Sequence, residues 1–157
     1  MKVLIVYDTV SPMRLTEKVA GAIGGVLKEM EIEVDPLFVK DVDVAIVKNY
    51  DCLIAGAPTM AFRASTEMRK FLENLPNEDF SGKFAAAFDT QVQSRLSGSA
   101  VKGIEGKLEK LGFKLITSPL VAYVEGKMNE YHLKEGELEK AKKWAQTVAE
   151  MLRSQSS

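Results

Sequence analysis

The chain has 157 residues, 46% apolar and 27% charged, with a formal net charge of −1. That is length for one domain with a proper core, too apolar for a disordered protein and too evenly charged for the electrostatic footprint of a nucleic-acid binder. A lone cysteine, Cys52, excludes an internal disulfide or a CxxC pair, and a lone histidine, His132, excludes a His-rich metal site.

The opening MKVLIVYD is too short for a membrane span, and too short and wrongly flanked for a signal peptide, so a cytoplasmic location is expected. Its KVLIVY run is continuous and β-branched, as in a strand buried on both faces. After the loop YDTVSPMRL, the stretch TEKVAGAIGGVLKEM sets Val19, Ile23, Val26, Leu27 and Met30 at helical spacing, with Thr16 as its cap and Glu17 at its positive end. The Gly24-Gly25 pair inside that helix costs roughly 1 kcal/mol per residue against Ala, and close packing on a sheet is the expected reason.

EVDPLFV is a weaker strand that Pro36 pushes to an edge. DCLIAGA is a further buried strand, in which Cys52 is an inert core residue. STEMRKFLENL follows as a short helix with Ser65 as cap and Met68, Phe71, Leu72 and Leu75 inward. KFAAAFD is a strand of small residues with something bulky over it. SAVKGIEGKLEKLG is a helix presenting Val101, Ile104, Leu108 and Leu111, with Gly112 as C-cap. FKLITSPLVAYVEG is a final strand interrupted at Ser118-Pro119. The last helix turns Leu138, Ala141, Ala145, Val148 and Leu152 inward, with Trp144 covering the core edge or a partner. Residues 1–153 are expected to form one domain, with 154–157 a polar tail.

The alternation reads as β-α repeated five times, which implies a parallel sheet with helices on both faces, joined by right-handed crossovers. For five strands the expected order is 2-1-3-4-5, with a switch point between strands 1 and 3. Ligands in such sheets bind outside the carboxyl ends of the strands, which here feed residues 8–15, 57–65 and 89–98.

The segments GAPTMAFRASTEMRKFLENLP and FDTQVQSRLSGSAVKGIEGKLEKLGF resemble flavodoxins and flavodoxin-like domains, and the similarity runs from Lys2 to about Leu152. Its most specific pieces are GAPT after strand 3, SGSAVKGIEGKLEKLG after strand 4, and TEKVA opening helix 1. The resemblance implies an α/β three-layer sandwich with a five-stranded parallel sheet, and FMN lying across the three loops. The first loop would hold the phosphate, and the other two would flank the isoalloxazine. By that resemblance, the cofactor-binding residues are Thr9, Ser11, Arg14, Leu15 and Thr16 in the first loop, and Pro58, Thr59, Met60, Ala61 and Phe62 in the second. The third contributes Asp89, Thr90, Gln91, Arg95 and Gly98.

The chain departs from the family pattern in three ways. Thr16 and Glu17 match the end of the phosphate-loop motif, but Arg14 stands at its Gly position and Leu15 at its Asn position, and the loop is about two residues longer. A loop without glycine does not easily turn left-handed, and Pro12 removes one N–H, so hydroxyls, the helix start and the Arg14 guanidinium would have to hold the phosphate. Met60 and Ala61 replace an aromatic that commonly shields the flavin, leaving Phe62 as the nearest ring. Residues 89–98 contain no aromatic, although a Tyr or Trp usually stacks there; that position falls near Ser94 or Arg95.

Each loop carries an arginine, Arg14, Arg63 and Arg95. Positive charge near the ring favours a reduced anionic flavin, so a potential above that of a typical flavodoxin is expected. Asp89, Tyr7 and Asp8 end strands beside the site, and VEGKMNEYH either folds over its rim or is a surface feature. The leading function is an FMN-binding electron carrier working with a redox protein. An FMN-dependent NAD(P)H:quinone-type reductase and a module of the same fold that has lost flavin are the alternatives, because fold alone does not decide among them.

Overall fold

A computed structural model describes residues 1–76, 80–93, 98–127 and 129–156. The side chains of Val3, Leu4, Ile5 and Val6 are wholly buried, which requires cover on both faces and sheet neighbours on both sides. They form β1 (Lys2–Tyr7), flanked in parallel by β2 (Glu33–Phe38) and β3 (Cys52–Met60). β3 turns back on itself as the short antiparallel β4 (Arg63–Ala64) and pairs in parallel with β5 (Phe84–Val92). β6 (Lys114–Leu115) and β7 (Leu120–Glu125) both pair with β5, the two pieces separated at the expected Ser118-Pro119 break. β8 (His132–Leu133) folds back antiparallel on β7. The long strands run β2-β1-β3-β5-β7, which is the 2-1-3-4-5 order with β2, the Pro36 strand, at the edge.

Alternation along the strands divides the core. Val3, Ile5, Ile54 and Phe88 point to the face covered by α1 (Leu15–Glu29) and α4 (Glu137–Ser156). Leu4, Val6, Leu53, Ala85 and Ala87 point to the face covered by α2 (Thr66–Glu73) and α3 (Ala100–Lys110). The bulk over the small residues of β5 comes from stacked Phe80 and Phe113 (centroids 4.6 Å apart) on one face. On the other, the Phe88 ring lies so close over Gly56 that a Cβ there would stand 2.0 Å from its Cζ. Cys52 is buried, and burial pushes its thiol up to about 12, which makes it inert.

Several expectations need correction. The chain passes from β2 to β3 through 3-10 turns at Val39–Asp41 and Val44–Asn49, so no α-helix stands between β2 and β3. Thr16 does not cap α1; the helix starts one residue earlier, and Arg14 is the cap residue. Ser65 precedes α2 as expected, but its buried hydroxyl makes no cap hydrogen bond. Close packing does not explain Gly24-Gly25: a Cβ at Gly24 would reach only an ordinary 3.7 Å contact with Ile5, and one at Gly25 would meet nothing within 4 Å.

Leu138 is exposed, and Glu137 is buried in its place, accepting the Tyr123 N–H at 3.2 Å and pairing with Lys140 at 2.7 Å. This fixes the start of α4 to β7. α4 runs on through Ser156. Trp144 covers the core edge, its indole N–H donating to the Ser118 carbonyl (2.8 Å) at the strand break.

Candidate functional site

The carboxyl ends of β1, β3 and β5 open into one cleft of about 230 Å³, at the switch point where β1 is flanked by β2 and β3. Its first wall is the β1–α1 connection, with Thr9, Val10, Ser11, Leu15 and Thr16 facing the space. The loop does turn left-handed without glycine: Arg14 itself adopts φ 53, ψ 45 at the position where the family pattern has Gly. An L-residue there is strained by about 1–2 kcal/mol. The side chain does not enter the cleft. Its Nε pairs with Glu17 Oε2 at 3.0 Å, and Glu17 Oε1 accepts the Tyr7 hydroxyl at 2.9 Å. Burial, reinforced by the Glu17 carboxylate, raises the Tyr7 pKa. Thr16 is buried, and its Oγ1 lies 2.8 Å from Thr90 Oγ1, joining α1 to β5 beneath the cleft.

The second wall is the extended end of β3, which contributes Pro58, Thr59 and Met60. The strand reverses over Ala61 and Phe62, both at positive φ (48 and 73), to pair as Thr59↔Ala64 and Met60↔Arg63. Such a two-residue reversal favours Asn-Gly; here it is built without either. Its backing is Gly98 (φ 63), bridged to Phe62, where a Cβ would stand 2.5 Å from the Phe62 ring and 2.8 Å from its Cα.

The third wall is the end of β5. Thr90, Gln91 and Val92 face the cleft. Asp89 does not; it is wholly buried beneath the site and organises the loops. Its Oδ2 accepts the Thr59 hydroxyl at 2.7 Å and the Gln91 amide at 2.8 Å, while the Ala100 N–H donates to Thr59 Oγ1 at 3.0 Å. One carboxylate thus ties β3, β5 and the start of α3 together. Burial raises its pKa, and these hydrogen bonds oppose the rise. Its Oδ1, like Oδ2 of Asp8 just after β1, is buried without a hydrogen-bond partner.

Of the residues singled out by sequence, Thr9, Ser11, Leu15, Thr16, Pro58, Thr59, Met60, Thr90 and Gln91 meet around one space. Arg14, Ala61, Phe62, Asp89 and Gly98 do not line it but shape its walls, and Arg95 lies outside the described residues. Neither Arg14 nor Arg63 lines the cleft, so those two give no direct contact through which to raise a flavin potential.

Val10, Val92, Val124 and Tyr131 also line the cleft; sequence reasoning named the segments that carry them, VEGKMNEYH at the rim as one of two readings, but not these four as site residues. Val10, Met60 and Val92 are 43–53% exposed while lining it, an apolar rim that a flat ring would cover. Hydroxyls and a helix start at one end, with apolar surface at the other, fit the phosphate and the ring of a flavin mononucleotide.

The comparisons agree with that geometry. The family model for flavodoxin matches residues 10–144. The flavodoxin of Clostridium saccharobutylicum is 34% identical over 91 residues, 57% of this chain; the match spans only 56% of that relative's length. Flavodoxin 2 from Bacillus cereus superposes with a TM-score of 0.81 at 28% identity, covering 96% of this chain and 99% of that one. The rubredoxin oxygen:oxidoreductase of Desulfovibrio gigas shows the same fold as part of a longer protein: TM-score 0.81 at 21% identity, covering 99% of this chain but 37% of that one. The match covers most of the chain and reaches all three walls of the cleft, Thr9 alone of their lining residues falling outside it: the chain belongs to the flavodoxin family, whose cofactor is FMN.

Proposed function

We propose that this chain is an electron carrier that binds one FMN across the cleft. The observation that carries the reading is the convergence, at the sheet's switch point, of a hydroxyl-bearing helix start with an exposed apolar rim. FMN supplies the redox chemistry; the chain binds it, orients it and sets its surroundings. Thr9 and Ser11 lie in the connection that leads into α1, whose first backbone amides and dipole favour an anion, and they take the phosphate end. Pro58, Met60 and Val92 take the ring. Thr16, hydrogen-bonded to Thr90, holds the floor between the two ends.

Asp89 acts one layer below, fixing Thr59 and Gln91. The cleft is smaller than the ~300 Å³ at which ligand pockets begin, so part of the flavin lies outside it, accessible to a redox protein. No helix among the described residues is long and apolar enough to cross a membrane. A cytoplasmic site of action is our reading of a chain with one buried cysteine. Reconstitution followed by addition of NADH or NADPH alone tests the carrier reading. The flavin absorbance should persist; bleaching without a second protein would identify a reductase.

A further inference from the structure

We infer that Tyr131, carried on the β7–β8 hairpin, supplies the aromatic wall that the third loop of this chain lacks. The inference rests on the proposed binding of FMN and extends it to a residue from a fourth segment. Tyr131 lines the cleft beside Val124 of β7 and is only half-buried there, so part of its ring is open to a ligand.

The hairpin that delivers it is built to hold a position. Val124 pairs with Leu133 and Glu125 with His132, and the Lys134 N–H donates to the Tyr123 carbonyl at 3.0 Å. The turn closes through the Glu130 N–H to the Lys127 carbonyl at 2.8 Å. It needs Gly126, which has φ 118 and where a Cβ would stand 2.8 Å from the Glu130 carbonyl oxygen and 3.3 Å from Tyr131 Cα.

The arm is also clamped to the end of the third loop. Lys134 Nζ donates to Gln93 Oε1 at 2.6 Å, one residue beyond the cleft-lining Val92. The hairpin is therefore tied to the end of the wall whose sequence, 89–98, contains no ring of its own. Tyrosine suits the place: it offers a flat, rigid face to an aromatic ligand.

The test uses the full-length chain and FMN, with fluorescence-quenching titration, the visible flavin spectrum and thermal melting as readouts. Tyr131→Ala should weaken FMN binding at least about fivefold, the lower end for loss of one stacking ring, and alter the flavin band, with the melting midpoint of the FMN-free protein unchanged. Tyr131→Phe should stay within about twofold of wild type. Tyr131→Trp should add indole emission, above that of Trp144, that FMN quenches.

Unaltered affinity and spectrum in Tyr131→Ala, equal losses in the Ala and Phe variants, or an indole at 131 that FMN leaves unquenched would each overturn the inference. Wild-type protein that binds no FMN would instead overturn the reading on which it rests.

Discussion

The Arg14 guanidinium lies against the Glu17 carboxylate, Nε to Oε2 at 3.0 Å, on the outer side of the first loop. An arginine at the glycine position of a phosphate loop suggests either a substitute anion ligand or a plug. The geometry is neither. Glu17 holds the side chain away from the cleft, while the backbone of Arg14 makes the left-handed turn that glycine would have made. The pair is exposed, so the attraction itself adds little. Its consequence is positional: α1 still begins where an anion can reach it.

Arg14 variants separate backbone from charge. Arg14→Gly removes the left-handed strain and should stabilise the fold by about 0.5–1 kcal/mol. It should leave FMN affinity within about threefold, the change from losing one exposed charge. Arg14→Ala keeps the strain and should also hold its affinity. Chemical denaturation and flavin titration read the two effects; a large loss of affinity in both variants would restore the guanidinium as a phosphate ligand.

Gly98→Ala tests the second wall from behind. The added Cβ meets Phe62, including its backbone, and the residue keeps a positive φ. A cost of about 1–3 kcal/mol is expected, together with weaker FMN binding, because the Met60–Phe62 turn must move. Denaturant melts and FMN titration on the same preparation check both parts.

The buried Asp89 predicts a pH signature. Burial raises its native pKa above the ordinary 3.8, so the folded chain holds this proton more tightly than the unfolded one. Its contribution to stability is therefore fully present below 3.8 and is lost as pH rises through the raised native value. Asp89→Asn cannot titrate and places an amide where Oδ1 has no partner, a pH-independent cost of about 1–3 kcal/mol. Stability measured from pH 4 to 7 should show the Asn variant regaining ground on wild type as pH rises. A constant difference across that range would contradict the assignment.

Gly25→Ala in α1 should raise stability by about 0.5–1 kcal/mol. The site is helical, exposed and clear of neighbours within 4 Å, so nothing offsets the gain in helix propensity. A thermal melt of the FMN-free protein shows it directly.

The sequence reads best where a single physical demand sets both pattern and structure. Runs such as KVLIVY are legible because a strand covered on both faces must be apolar throughout. Strand order follows from the alternation, and the site follows from the order. The reading falters where residues act against type. Arg14 and the Ala61-Phe62 turn take left-handed backbone that ordinarily announces itself as Gly or Asn, so neither the true start of α1 nor the β3–β4 hairpin has a local signal. Asp89 is visible as a strand-end carboxylate, but whether it faces ligand or loop depends on side-chain direction. Tyr131 reaches the cleft through a hairpin whose strand is two residues long, too short for periodicity to mark; the sequence offers VEGKMNEYH at the rim only as one of two readings.

FMN binding by the purified chain tests the central claim most directly, measured as the melting midpoint with and without FMN alongside flavin fluorescence. The account predicts quenched flavin emission and a midpoint raised by about 5–10 °C at FMN a hundredfold above its Kd. A colourless protein whose midpoint does not move and which leaves FMN emission unquenched would contradict it.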